Sequence, residues 1–365
     1  MHIQNLVHHI CKTVFFTSLP LTLVAVMPTA AQAASFSRIY AFGDSLTDTG
    51  NSLAITQQVN AINNAIPIIP PSTVGYFDGR FANGPIWLDQ LASKLGLTLP
   101  PVSAIAGGDS PTGINFAVNS ATTGNQNTFP IPGLPGLVGL QQQIAQFTQA
   151  NPIADSDALY IVWAGANDYI GRVTTDPSQP VANLVGAVDQ LYNVGARNFL
   201  VVNLPFLGDT PLANSQGPVV SGGLNQLSMG HNFLFSQAFG QPNPNQPGIN
   251  LKTLDVGSLF QEAILTPSKF NLTNVTDSCL VNSPLFHPPS PSNPISICSN
   301  PDEYLFWDDI HPTRAAHRFI GDLAYKTLVP EPSLILSQLA VGAVLGSIAV
   351  RKGKQKKALH KTRTN

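Results

Sequence analysis

The sequence predicts an α/β fold built on a parallel sheet, and three observations support that expectation. Apolar runs of strand length alternate with segments of helical periodicity, the pattern of strand–helix–strand units joined by right-handed crossovers. The run Ala158-Leu159-Tyr160-Ile161-Val162-Trp163-Ala164 is apolar throughout rather than alternating, as a sheet covered on both faces requires. Three strand runs end in polar residues, at Ser45, at Asn119 with Ser120, and at Asn167, on the edge where open α/β folds place their ligands.

The first strand is Arg38-Ile39-Tyr40-Ala41, followed by Phe42-Gly43-Asp44-Ser45-Leu46-Thr47-Asp48-Thr49-Gly50-Asn51. Residues 52–71 read as a helix and then a loop ending in Ile68-Ile69-Pro70-Pro71. Asp78-Gly79 and Asn83-Gly84 are turn signals on either side of Arg80. Pro85 suits the first turn of a helix through Ile86, Trp87, Leu88, Leu91 and Leu95, stopped by Gly96. Gly113 to Val118 reads as a short strand, and a Gly/Pro-rich loop leads from it to a helix containing Leu137, Leu140, Ile144 and Phe147. After the strand at Ala158–Ala164 come a helix near Val181–Val194, a strand at Asn198–Asn203, a helix near Gly223–Phe239 and a strand at Asn250–Asp255. The last element is a helix from about Thr313 to Leu328. No repeat divides the chain, and one domain over residues 34–329 is expected.

The two ends differ from this body. Lys12, the apolar run Val14–Met27 with Pro20 inside it, and the small residues Ala31-Gln32-Ala33 form a secretory signal peptide over residues 1–33. At the other end Val329-Pro330-Glu331-Pro332-Ser333 leads into an uncharged stretch from Leu334 to Val350, a basic block from Arg351 to Lys357 and a tail over 358–365. That is a stop-transfer pattern near the lower length limit for a membrane span. Residues 330–357 resemble the PEP-CTERM sorting domain of bacterial exported proteins, which implies a membrane helix before processing and a sorting protease of the exosortase type as partner.

Charged residues are only 10% of the chain, and the body from Ser35 to Val329 holds 10 Lys plus Arg against 19 Asp plus Glu. An acidic body argues against nucleic acid as a partner. Cys11 leaves with the signal peptide, so Cys279 and Cys298 remain as an even pair in an exported protein and are expected to form a disulfide. No His or Cys pair has zinc-ligand spacing.

Taken singly, a serine at a strand end is commonly a turn residue or helix cap, and an asparagine there a turn former. Their joint occurrence with Asp308-x-x-His311 assembles the parts of a serine hydrolase: a nucleophile, a base, an orienting carboxylate and oxyanion donors. Pro312 disfavours helical geometry at His311 and should keep its ring in the loop above the sheet. Asp308, one turn earlier, can accept from His311 Nδ1 and leave Nε2 for Ser45, whereas Asp309 should point elsewhere. His317, inside the last helix, is expected to be solvated and without a role. The oxyanion donors are expected to be Ser45 N–H, the Asn167 amide and the turn at Ser120.

Phe42–Asn51, Asn115-Phe116-Ala117-Val118, Gly165-Ala166-Asn167-Asp168 and Asp308-Asp309-Ile310-His311-Pro312-Thr313 resemble, in order, four motif blocks of the GDSL lipase/esterase family, the SGNH hydrolases. Gly79-Arg80-Phe81-Ala82-Asn83-Gly84 resembles the branch holding plant GDSL esterases and bacterial secreted phospholipases and esterases. The resemblance covers residues 36–329 and implies a three-layer α/β/α, flavodoxin-like fold. It also implies Ser45 as nucleophile, His311 as base, Asp308 as its orienter, Asn167 as oxyanion donor, and no metal or cofactor. The family usually has a glycine where this chain has Asn119-Ser120, so the backbone donor falls to Ser120. The substrate class implied is a carboxylic ester of a small molecule, lipid or acylated sugar. Acyl transfer by the same triad, or a catalytically weak surface protein, are the alternatives.

Overall fold

The computed structural model describes residues 36–97, 99, 113–129, 137–241, 243–288 and 290–329. The expected signal peptide (residues 1–33), the segment that resembles a sorting domain (330–357) and the tail lie outside the described residues, and none of the described helices is long and apolar enough to cross a membrane. In chain order the elements are β1 (Ile39–Gly43), α1 (Asn51–Ile62), α2 (Trp87–Lys94), β2 (Gly113–Asn115), α3 (Leu140–Ala150), β3 (Leu159–Trp163), α4 (Ala166–Ile170), α5 (Ser178–Asn193), β4 (Asn198–Val202), α6 (Pro211–Ser215), α7 (Pro218–Phe239), β5 (Asn250–Leu254), α8 (Val256–Leu265), β6 (Asn274–Ser278), β7 (Leu280–Val281), β8 (Ser296–Ile297), β9 (Tyr304–Phe306) and α9 (Arg314–Leu328).

The central sheet is wholly parallel, in the order β2-β1-β3-β4-β5, the flavodoxin-like arrangement. Alternate residues of each strand face opposite layers. Ile39, Ala41, Ile161, Trp163, Leu200 and Val202 pack against α2, α8 and α9, while Tyr40, Phe42, Tyr160, Val162, Phe199 and Val201 pack against α3, α5 and α7. Both faces of β1, β3 and β4 are therefore covered, which is why these strands carry no polar alternation, whereas the edge strand β5 is largely exposed and holds Lys252 and Thr253. The helices supply matching stripes, such as Leu184, Ala187, Val188 and Leu191 on α5 and Ala316, Ile320, Ala324 and Leu328 on α9.

Three local departures from the sequence reading have physical causes. The strand at Gly113 keeps only three residues, because the chain bends after Asn115 while Phe116 and Val118 still donate to Ala41 and Gly43. Helix α8 has no counterpart among the sequence-predicted elements, although Asp255 caps it by accepting from Ser258 N and it buries Val256, Phe260 and Ala263 at helical spacing. His317 is buried rather than solvated, at 1% exposure, because it stands four, seven and eleven residues before Gly321, Ala324 and Leu328, on the inward stripe of α9. Burial and then the His311 charge push its imidazole down to about 3, so it stays neutral.

Residues 274–306 form an annex beside the main sheet. β6 pairs with β9, β7 pairs with β8, and Cys279 is bonded to Cys298 next to the latter pair. This annex leads through β9 into the loop that carries Asp308 and His311.

Candidate active site

The strand order reverses at β1, which has β2 on one side and β3 on the other, and a crevice at such a point is where α/β folds bind ligands. Ser45 follows β1, Ser120 follows β2 and Asn167 follows β3, and all three line one cavity together with His311.

Ser45 is held in a turn in which Thr47 N and Asp48 N donate to Asp44 O and Leu46 N donates to Asp44 Oδ1. Gly43 permits the approach of this turn to the neighbouring strand, since a Cβ there would lie 2.2 Å from the Trp163 carbonyl oxygen. Gln143, on α3, pins the same residue from the opposite layer: its Oε1 accepts from Gly43 N at 2.9 Å and its Nε2 donates to Gly43 O at 2.8 Å. Asp48 accepts from Gly50 N, Asn51 N, Ser52 N and Asn119 N. Asn51 Nδ2 donates to the carbonyls of Asn115 and Ala117, and Asn115 Nδ2 donates to Thr47 O. The turn bearing the serine and the turn bearing Ser120 are thus one cross-tied unit.

His311 Nε2 lies 2.9 Å from Ser45 Oγ, and its Nδ1 lies 2.8 Å from Asp308 Oδ2 and 3.0 Å from Oδ1. Asp308 is fully buried and also accepts from His311 N and Ile310 N through Oδ1. Burial works to raise the Asp308 carboxyl, but the His311 charge and the hydrogen bonds outweigh it and hold it below the ordinary carboxylate range. An ionised Asp308 can only accept, so Nδ1 carries the ring proton and Nε2 is free to accept from Ser45. Asp309 points away: its Oδ1 accepts from Ser278 Oγ and its Oδ2 meets His287 Nε2. Thr313 caps α9 by accepting from Ala316 N, which leaves His311 outside the helix.

Among the described residues, the Ser45 and Ser120 N–H groups have no acceptor. Ser120 sits at φ 61°, the left-handed region that disfavours a side chain. Asn119 N, tied to Asp48 Oδ2 and Ser52 Oγ, and Ser120 O, which accepts from Thr128 N, hold it there. Asn167 Nδ2 donates to Ala121 O at 3.1 Å and reaches Asp44 Oδ2 at 3.3 Å. Asp168 anchors the same loops by accepting from both Thr123 N and Thr123 Oγ1. Burial pushes the Asp44 carboxyl up to about 7 against the opposing pull of Leu46 N–H and His311. The Asp44 carboxyl is therefore only partly ionised at neutral pH, which reduces the negative charge beside the Asn167 amide.

Most of the remaining wall is apolar, with Leu46, Phe206, Leu207, Ile264, Leu285 and Phe286 among its residues, and Asp209 and Thr210 add a polar patch. Arg80 of the Gly79–Gly84 segment is a structural tie rather than a wall residue. It is buried and pairs with Asp89 on α2 and with Asp78. No group of His, Cys, Asp and Glu suited to a metal ion occurs among the described residues.

Sequence reasoning did not find Gln143, Asn51, Asn115 or Asp44 as parts of this site. Asp44, Asn51 and Asn115 lie inside the quoted motifs and could have been suspected from a polar residue in an otherwise buried strand end, whereas Gln143 looks like any polar residue of a surface helix.

Comparison with known proteins agrees with this geometry. Over 343 aligned residues the chain is 29% identical to the phosphatidylcholine-sterol acyltransferase of Aeromonas hydrophila, covering 83% of this chain and 94% of that protein. It is 26% identical to a GDSL esterase/lipase of Arabidopsis thaliana, covering 82% of this chain and 86% of the relative. It is also 25% identical to an Arabidopsis protein named as an inactive GDSL esterase/lipase-like protein, covering 89% and 78%. The sequence profile described as GDSL-like lipase/acylhydrolase matches residues 39–324, from the serine strand into the last helix, and the chain belongs to that family.

Proposed function

We propose that the protein is an exported carboxylic ester hydrolase working through an acyl-enzyme on Ser45. The observation that carries this reading is the chain of contacts from Ser45 Oγ to His311 Nε2 and from His311 Nδ1 to the buried Asp308. Ser45 Oγ attacks the ester carbonyl carbon as its proton passes to His311 Nε2, and the carbonyl π electrons become the oxyanion. The unpartnered N–H groups of Ser45 and Ser120 are the donors available to that charge, and the Asn167 amide joins them by giving up its long bond to Asp44 Oδ2. Collapse of the intermediate breaks the bond to the alcohol, which leaves with the proton from His311. Water then repeats the sequence on the acyl-enzyme, giving up a proton to His311 and releasing the acid, and Ser45 recovers its proton.

The apolar wall favours an acyl chain longer than acetyl. Each further methylene buried is worth about 0.8 kcal/mol, so kcat/KM should rise about fourfold per carbon until the wall is filled. A p-nitrophenyl ester series from acetate to decanoate, run beside an acetylated polysaccharide, tests this. Best turnover on a C6–C10 ester is expected, and a preference for acetate or the polysaccharide would overturn the acyl-chain assignment.

Acyl transfer is the second reading, supported by the name of the Aeromonas relative. Added long-chain alcohol or sterol would divert product from free acid to a new ester if it holds. Export, cleavage after Ala33 and processing of residues 330–357 by an exosortase-type protease form the remainder of the proposal, on the strength of the terminal sequence patterns.

A further inference from the structure

Asp308 has a partner that the triad does not include. Tyr76 follows Gly75, which sits at φ 95° with the Trp307 ring 3.0 Å from where a Cβ would stand, and the turn delivers the phenol into the core between Phe81 and Trp307. Its hydroxyl donates to Asp308 Oδ2 at 2.6 Å and lies 2.7 Å from Ser283 Oγ. Because the tyrosine proton goes to the carboxylate, Ser283 must supply the donor to the phenol oxygen. Ser283 Oγ in turn accepts from Leu285 N at 3.3 Å, and Ser283 O accepts from Phe286 N and His287 N. Tyr76 and Ser283 are both buried. Ser283 lies within the loop closed by Cys279–Cys298, and Leu285 and Phe286 of that loop line the substrate cavity.

We infer that Tyr76 is a positioning residue for the Asp308 carboxylate, anchored through Ser283 to the disulfide-closed loop that walls the substrate cavity. Oδ1 of Asp308 is held by two backbone N–H groups, but apart from His311 itself Oδ2 is held by Tyr76 alone among the described residues. The tyrosine therefore fixes the rotation of the carboxylate plane that His311 Nδ1 meets. Burial and then the Asp308 charge keep the phenol protonated, far above its ordinary range, so it remains a donor at every working pH. The order Leu285 N–H, Ser283 O–H, Tyr76 O–H, Asp308 is directional, and each donor polarises the next. The same loop thus supplies both the cavity wall and the last link that orients the base.

The inference rests on the hydrolase reading for its kinetic consequence, but not for its spectroscopic one. Tyr76→Phe keeps the ring that packs on Trp307 and removes only the hydroxyl. It should lower kcat about tenfold, as expected for losing one hydrogen bond to a buried charge, with KM unchanged within twofold. The His311 Nδ1–H proton resonance, read by NMR in the free protein, should move further downfield, because the carboxylate loses a competing donor. Ser283→Ala should shift the resonance the same way by a smaller amount and reduce kcat two- to threefold, by the same reasoning at one remove. Wild-type kcat together with an unmoved resonance in both variants, while Ser45-dependent turnover persists, would overturn the relay and leave the hydrolase reading intact. A displaced resonance in a protein without ester turnover would support the relay and sink the hydrolase reading instead.

Discussion

Ser45→Ala is expected to lower kcat toward 4-nitrophenyl esters by on the order of a millionfold, to the residual rate that binding and the oxyanion donors support, with the fold intact. The hydroxyl is the only part of residue 45 that the substitution removes, the backbone N–H being kept, and alanine fits the turn because that turn is held by Asp44 and its backbone rather than by Oγ. His311→Ala should fall to the same level, and the double variant should fall no further, since a nucleophile without its base and a base without its nucleophile fail at one step. Asp308→Asn should lose about ten-thousandfold. With the amide oxygen kept at the Oδ1 position by the Ile310 and His311 N–H groups, its nitrogen would stand at Oδ2 and face both His311 Nδ1 and the Tyr76 hydroxyl, which now donate there. Steady-state kinetics on folded variants, with thermal unfolding as the control, measures all four.

The second large effect belongs to the oxyanion donors, where residues 120 and 167 should behave in opposite ways. Asn167→Ala should cost about 100- to 1,000-fold in kcat with little change in KM, because the donor is needed most once charge develops on the carbonyl oxygen. Ser120→Gly should leave kcat within about twofold. At that position the backbone N–H is the useful group and the side chain is a strained passenger, held at φ 61°, so glycine should stabilise the fold by roughly 1 kcal/mol. Loss of activity in Ser120→Gly would mean that the hydroxyl, not the backbone, serves the site.

Much of this was legible in the chain because the chemistry depends on short segments. Asp308 and His311 are three residues apart with Pro312 fixing the backbone after them, and Ser45, Ser120 and Asn167 end strands that read clearly as apolar runs. The parallel sheet was legible for the same reason, since strands covered on both faces have nowhere to place a polar residue. What stayed hidden is held by contacts between distant parts of the chain. Gln143 reaches Gly43 across 100 residues and Tyr76 reaches Asp308 across 232, and nothing in the local sequence marks either side chain. His317 stands on the inward stripe itself, four, seven and eleven residues before Gly321, Ala324 and Leu328, and its spacing was a local signal of burial. Helix α8 was the more avoidable omission, since Asp255 and the spacing of Val256, Phe260 and Ala263 are local signals.

The central claim is that Ser45, activated by His311, is the nucleophile, and trapping the covalent enzyme tests it most directly. Incubation with a p-nitrophenyl alkylphosphonate followed by peptide mass spectrometry should find one phosphonyl group per chain, on Ser45, and should find labelling greatly slowed in His311→Ala. A phosphonyl group on any other residue, or wild-type labelling kinetics in His311→Ala, would contradict the account.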